Sequence, residues 1–248
     1  TMTHLHLHSS FGSIQDAVGK PGAYCNKAAE IGQQALAVTE HGSCASHFAF
    51  HQAGEATDTH IIYGNEFYFA ADRTLRGLTD EEKNVLTATE VRDANKARLR
   101  KAHLLLLAET DEGLHNIYRL NYHANNSGFY GKATIDLPLL RQYSEGIIAT
   151  TTCVISPMAR MLQNKKIDDM SIWFEDMLEI FGKDRFFIEL HPHALDIQRE
   201  YNQVLIEMFR KKYDVKCLLA NDVHYVEQDH HEIHNFLWRL NTDGKFDE

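Results

Sequence analysis

The sequence has no C-x-x-C pair, no long apolar run, no surplus of positive charge and no histidine run of the kind an affinity tag carries. Each absence excludes something. The four cysteines, Cys25, Cys44, Cys153 and Cys217, are too scattered for a zinc knuckle or a disulfide framework, so any cysteine ligand has to be recruited through the fold. No stretch approaches the ~18 apolar residues of a membrane span, and the first residues lack the basic-then-apolar order of a secretory signal. The expectation is a soluble, cytoplasmic protein with no membrane partner. With 25 Lys and Arg against 35 Asp and Glu, the formal net charge is −10. That balance argues against sequence-independent adhesion along a phosphate backbone, which depends on clustered cations. It leaves a phosphate substrate open, because bound divalent ions dominate the field of a site. No G-x-S-x-G pattern or local serine–histidine pair offers a covalent mechanism.

What is present is histidine, sixteen in 248 residues. The length and the 44% hydrophobic content suit one large domain over residues 1–248. Short apolar runs alternate with helical patterns, the signature of parallel βα units. Strands are predicted at residues 3–8, 34–40, 61–70, 103–108, 146–152, 186–191 and 216–225. In "PGAYCNKAAEIG", Pro21 opens a helix and Gly32 stands just beyond its end, as backbone geometry favours. Two excursions interrupt the rhythm. Residues 71–101 are long and charged and predict one or two exposed helices, a solvated face before a lid or partner surface. Residues 127–146 predict an irregular connection.

In a parallel barrel the site forms where strands end and βα loops begin. The first strand delivers His6 and His8, with Asp16 in the loop after it. The second delivers His41 in "TEHG", the third Glu66 in "GNEFY" and the seventh Asp222 and His224 in "ANDVHY". A strand alternates its faces, so His6 and His8 point one way, as do Asp222 and His224, and each pair can chelate. Imidazoles suit transition metals, and a carboxylate can bridge two cations, so this mixed set points to a multinuclear centre. His4 shares the face but lies deeper and reads as a barrel-interior support. His191 and His193, in "IELHPH", face the rim at the sixth strand end. His47, His51, His60, His115, His123, His230, His231 and His234 are assigned to the surface or to helix faces. Taken alone, Cys153 is a buried apolar cysteine and His103 a satisfied strand-end histidine.

The segments "HLHLHS", "AVTEHG", "IIYGNEFY", "HLLLLAETDEG", "YSEGIIATTTC" and "LLANDVHY", in this order, resemble the polymerase and histidinol phosphatase (PHP) family. The resemblance spans nearly all of the chain. It extends through "YRLNYHANNSGFYGK" and "HNFLWRLNTDGK" to the N-terminal PHP domain of bacterial and phage DNA polymerase III alpha subunits. It implies a distorted (β/α)7 TIM-like barrel binding up to three divalent ions, zinc, manganese or iron, with magnesium also admissible. By the same resemblance His6, His8, Glu66 and Asp222 hold the first ion and carry catalysis by activating water. Glu66, His103 and Cys153 hold another, and Asp16, His41 and His224 the remaining one. "FGSIQDA" runs one residue longer than the family's usual spacing, so Asp16 is placed by its distance to Pro21. Glu40 stands where the family usually has Asp, and the longer carboxylate is expected to orient His41. Glu40, His191 and His193 are the candidates for supporting or substrate-facing positions.

The implied function is metal-dependent phosphoester hydrolysis, foremost a 3′→5′ exonuclease associated with a DNA polymerase III alpha-type subunit. Its partners would be DNA 3′ ends or another phosphoester, together with polymerase or replication proteins. Two readings compete: a non-catalytic, metal-stabilised binding domain of a polymerase, and a small-molecule phosphatase or pyrophosphatase of the histidinol phosphatase type.

Overall fold

Short strands of alternating character have to bury one face against helices and turn the other inward, and here the inward face is polar. The computed structural model describes residues 2–241. In chain order its elements are α1 (Pro21–Glu30), β1 (Ala35–Val38), α2 (His47–Thr57), β2 (His60–Phe69), α3 (Asp80–Asn84), α4 (Ala88–Arg98), β3 (Ala102–Ala108) and α5 (Asp111–Asn126). Then follow β4 (Phe129–Tyr130), β5 (Lys132–Ile135), α6 (Leu137–Gln142), β6 (Ile147–Thr150), α7 (Pro157–Gln163), α8 (Ile167–Phe181) and β7 (Phe186–Leu190). The last are α9 (Asp196–Val204), which runs on through a π-helical stretch into α10 (Lys211–Tyr213), β8 (Cys217–Leu219) and α11 (His231–Asn241). Among the described residues no helix is long and apolar enough to cross a membrane.

The strands curl into a ring. β1 runs parallel to β2, β6 to β7 and β7 to β8. Residues 4–8 close it by single parallel bridges, His4 to Leu36 on one side and Leu7 to Val223 on the other. The bonds from His8 N to Val223 O (2.8 Å) and from Val223 N to His6 O (3.0 Å) fasten the first stave to the last. The result is a distorted (β/α)7 TIM-like barrel whose staves are residues 4–8, β1, β2, β3, β6, β7 and the 217–224 segment.

Three sequence expectations need correction. The staves are not all parallel: β3 is antiparallel to both β2 and β6. The first and last staves are shorter as strands than expected. Residues 3–8 make only bridges, and the 216–225 stretch gives a three-residue β8 before the chain turns at Asp222, whose φ is 50°. Residues 127–146 are not irregular. They form the β4–β5 hairpin, turned at Gly131 with φ 74°, and α6, and β5 lies parallel to the end of β2. Residues 71–101 carry α3 and α4, both started by capping boxes, Thr79 with Glu82 and Thr87 with Glu90, and neither helix buries a residue. The excursion is tied down at its root by Arg73, whose Nη1 donates to both oxygens of the buried Asp136 carboxylate at 3.0 and 2.9 Å.

Period-two alternation separates core from site. Phe67, Phe69, Leu104, Leu106, Ile147, Ala149, Phe186 and Ile188 take the outward parity and pack in one cluster. Against them lie Ile117, Leu120 and Ala124 of α5 and Met170, Trp173, Phe174, Met177 and Phe181 of α8, spaced three or four apart as one helix face requires. Leu7, Leu36 and Val38 form a second cluster with Tyr24, Cys25 and Phe50. The opposite parity leaves His6, His8, Glu66, His103, Thr150 and Glu189 for the interior.

Candidate metal centre

Glu66 sits near the middle of the interior face of β2 and is 1% exposed. Imidazoles converge on it from three sides. His6 Nε2 lies 3.2 Å and His103 Nδ1 3.1 Å from Oε1, while His41 Nδ1 lies 2.6 Å from Oε2. His8 Nε2 is 3.8 Å from Oε2, and the Cys153 thiol is 3.8 Å from Oε1 and 4.0 Å from His103 Nδ1. Asp222 Oδ1 lies 3.3 Å from His6 Nε2 and 3.1 Å from His8 Nε2. Asp16 Oδ2 lies 3.1 Å from His41 Nε2 and 4.0 Å from His224 Nε2. In each of four overlapping sets, one ligand atom per residue falls within 4.8 Å of the others: His6, His8 and Asp222; His8, His41 and His224; His41, Glu66 and His103; and His6, Glu189 and His191.

The imidazoles are aimed from behind. The Glu189 carboxylate is wholly buried and accepts from His6 Nδ1 at 2.8 Å, from His191 Nε2 at 2.7 Å and from the Thr150 hydroxyl. That bond puts the His6 proton on Nδ1 and turns the Nε2 lone pair toward Glu66 and Asp222. On the other side His8 Nδ1 faces the Ser13 hydroxyl at 3.3 Å, and His224 Nδ1 donates to the Asp222 carbonyl at 2.9 Å. Ser13 in turn donates to Glu40 Oε2 at 2.7 Å and accepts from His41 N at 3.0 Å. Glu40, 0% exposed, also takes Ser9 N at 2.9 Å, Ser9 Oγ at 2.5 Å and Ser46 Oγ at 2.6 Å. Gly12 makes room for this carboxylate: a Cβ there would fall 2.4 Å from Glu40 Cγ. Gly42, at φ 61°, lets the chain turn away directly after His41.

Burial and charge pull these groups in opposite directions. Burial alone would lower His6, but Asp222, Glu189 and Glu66 outweigh it and hold its pKa well above the ordinary histidine value. His8 is pushed down to about 3 by burial and by the neighbouring His41 and His224. Burial would raise Glu66, but His103, His41 and His6 hold it well below the carboxylate range, and Asp222 is held down likewise by His6, His224 and His8. Burial raises the Cys153 thiol well above its usual value, and Glu66 and Asp222 push it further. His6 Nε2, His8 Nε2, Asp16 Oδ1 and Asp222 Oδ1 are buried without a hydrogen-bond partner. Buried polar atoms are ordinarily satisfied, and four unsatisfied ones on residues of a single cluster fit divalent cations: neutral imidazole nitrogens and ionised carboxylate oxygens are the donors such ions take.

The PHP domain profile matches residues 4–193. The chain belongs to the PHP family. Among curated relatives, this PHP chain is 32% identical over 237 residues to DNA polymerase III subunit alpha of Aquifex aeolicus, covering 96% of this chain and 19% of that protein. It is 31% identical over 247 residues to the same subunit of Thermus aquaticus, covering 99% of this chain and 19% of that protein. It thus spans about a fifth of the length of these relatives. Among solved structures, an amidohydrolase from Chromobacterium violaceum superposes with a TM-score of 0.51 at 12% identity, covering 91% of this chain and 88% of the other, and shares the fold.

The PHP barrel brings together all nine residues singled out as ligands: His6, His8, Asp16, His41, Glu66, His103, Cys153, Asp222 and His224. The supporting candidates divide. His191 is buried against Glu189, whereas His193 is exposed and bonds the Asn221 carbonyl at 3.0 Å. Glu40 does not orient the His41 ring: its oxygens are taken up by Ser9, Ser13 and Ser46, and it reaches His41 only through Ser13 and the backbone. His4 stands outside the four sets and lines an 880 Å³ cleft with Lys27, Pro192 and His234. His47 is not a surface residue. It is buried, with Nε2 donating to the Gly64 carbonyl at 2.8 Å. His51, His60, His115 and His231 are exposed, and His123, His230 and His234 half-buried. Sequence reasoning missed Glu189 and Ser13. The one signal for Glu189 was a carboxylate inside the apolar run "FFIEL", of the parity that faces inward. "NTDGKFDE" reaches beyond the described residues.

Proposed function

We propose that this PHP domain is a metal-dependent phosphodiesterase that removes nucleotides from DNA 3′ ends, in the setting of a DNA polymerase III alpha-type subunit and its replication partners. The observation that carries the reading is the set of four buried, unpartnered ligand atoms in a cluster where every one of nine positions keeps a metal-competent side chain. In this reading His6, His8, Glu66 and Asp222 hold one ion, Glu66, His103 and Cys153 a second, and Asp16, His41 and His224 a third. Mixed imidazole, carboxylate and thiol donors suit zinc, manganese or iron. Bound divalent ions supply Lewis acidity, acidified water and charge neutralisation at the phosphate.

The chain's own residues do the rest. Glu189 and Ser13 fix the His6 and His8 rings so that both Nε2 lone pairs point into the cluster. Glu66 and Asp222 stay ionised and balance the cations. The buried thiol of Cys153 is neutral without a cation beside it, so its participation depends on occupancy. The alpha-subunit relatives support a DNA substrate over a small phosphomonoester.

The test is a time course of 5′-labelled single-stranded DNA and, in parallel, a phosphomonoester, with protein loaded with Mn2+ or Zn2+ and its metal content measured. Stepwise shortening from the 3′ end, lost in Asp222→Ala and His8→Ala, is the expected result. Cleavage of neither substrate, or equal cleavage by the variants, would overturn the assignment. Cleavage of the monoester alone would transfer it to small-molecule phosphatases.

A further inference from the structure

A groove of about 620 Å³ opens beside the cluster, sharing His41 with it. That volume falls within the roughly 300–1,000 Å³ of pockets that hold small ligands. Its walls come from the loop after the first stave, the turn after His41, the C-terminal half of α5 and the β4–β5 hairpin. In a chain with 35 acidic residues and a net charge of −10, no carboxylate among the described residues lines it. Its one lysine, Lys132, is exposed, and among the described residues no carboxylate pairs with it. Lys132 Nζ lies 3.0 Å from the Tyr68 hydroxyl and 4.7 Å from the centroid of that ring. Gln15 Nε2 reaches the same hydroxyl at 3.4 Å.

Tyr68 joins groove and cluster physically. Its ring stands edge-on to His103 at 5.3 Å and lies 6.4 Å from His41. At the far wall Phe129 is 55% exposed, an aromatic side chain left open to solvent. Asn121 and Asn125 of α5 also line the groove, with Asn125 Nδ2 donating to the Asn121 carbonyl at 2.8 Å. A cation not neutralised by a carboxylate among the described residues, neutral hydrogen-bonding groups and an open aromatic face are the components with which proteins hold single-stranded nucleic acid: charge for the backbone, stacking for a base.

We infer that this groove is the track for the single-stranded DNA leading to the scissile phosphate, with Lys132 on a backbone phosphate and Phe129 stacked on a base. The inference rests on the phosphodiesterase reading and specifies the substrate of that same site as a strand of at least two nucleotides. A phosphate one nucleotide removed from the cluster meets Lys132, and the adjoining base meets Phe129.

The experiment is fluorescence anisotropy of a 5′-labelled ten-nucleotide oligothymidylate, titrated with wild-type protein in calcium, over a series of salt concentrations. Lys132→Ala is expected to weaken binding about tenfold and to lower the salt slope by about one, the signature of one lost phosphate contact. Phe129→Ala is expected to weaken binding by a similar factor with the slope unchanged, and Phe129→Tyr to restore it. Lys212→Ala, on α10 beside Glu175, is expected to bind as wild type. Wild-type affinity in both Lys132→Ala and Phe129→Ala, with circular dichroism showing both folded, overturns the inference, as does failure of the wild-type protein to bind. Hydrolysis of bis(p-nitrophenyl) phosphate by the Mn2+-loaded wild-type protein reports on the phosphodiesterase reading separately, because that substrate has neither a second phosphate nor a base. Oligonucleotide binding without diester hydrolysis would sink the activity and leave the groove; hydrolysis without binding would do the reverse.

Discussion

His6 and His8 belong to one stave, share one face and meet the same Asp222 oxygen, yet the two halves of the cluster around them differ in kind. His6 is surrounded by carboxylates: Glu189 behind it, Glu66 and Asp222 in front. His8 is surrounded by imidazoles, stacked on His41 at 4.0 Å between centroids and tilted against His224 at 4.5 Å. Without cations the two histidines part company: carboxylates hold the His6 pKa well above the ordinary value, while burial and the neighbouring His41 and His224 push His8 down to about 3. The same residue type thus serves in two ways: His6 is braced by a charged acceptor, while His8 is kept neutral by its neighbours and positioned by a hydroxyl.

The largest test removes what the halves share. Asp222→Ala is expected to lower phosphodiester hydrolysis by more than about a hundredfold and to lose bound metal by elemental analysis, because losing a ligand exceeds the roughly 10–100-fold cost of losing an outer hydrogen-bond partner. Equal turnover would dissolve the comparison at its centre.

Glu189→Gln touches the carboxylate half alone. It is expected to weaken metal affinity about 10–100-fold, with turnover recovering at high metal concentration. It also has a pH signature. Burial opposes ionisation of Glu189, but His6 and His191 bring its pKa down to about 2 from the ordinary 4.5. A carboxylate held below its unfolded value adds stability above pH 4.5 and loses it as pH falls toward 2. Melting curves in chelator should therefore show the wild-type advantage over Glu189→Gln in full at pH 7 and shrinking below pH 4.5. A pH-independent gap would mean that the charge on Glu189 is not what braces His6.

Ser13→Ala touches the imidazole half. It leaves His41 N without its acceptor and His8 Nδ1 without its partner. A destabilisation of about 1–3 kcal/mol is expected from denaturant unfolding, with the pH dependence of Glu189 intact. Smallest of all is His115→Ala, on the exposed face of α5, expected within about 0.5 kcal/mol of wild type. A larger effect there would show that histidine content matters apart from placement.

Much of this was legible in the chain. Period-two spacing placed His6 with His8 and Asp222 with His224, and strand-end reading placed His41, because those staves run the same way around the barrel. The rest was hidden by features that spacing does not encode. His103 begins its strand, so it reaches the site only because β3 is reversed, and direction within a sheet depends on long-range pairing. Glu189 has inward parity within its apolar run, but its role as the acceptor behind His6 and His191 depends on partners that spacing does not encode. His47, assigned with seven other histidines to the surface or to helix faces, is held within by the Gly64 carbonyl and the Tyr118 hydroxyl, contacts that no local pattern announces. The β4–β5 hairpin, with two- and four-residue strands, is too short to show a period.

The bridge between Leu7 and Val223 also sets a timetable. His6 and His8 leave the ribosome early in this stretch of chain, and Asp222 and His224 near its end. Two of the ligand sets therefore stay open until the last stave docks on the first, the kind of sequence-distant closure that folds slowly. Until that closure His6 and His8 stand without Asp222, and His8 and His41 without His224, so affinity for cations at these sets reports that the ring has closed.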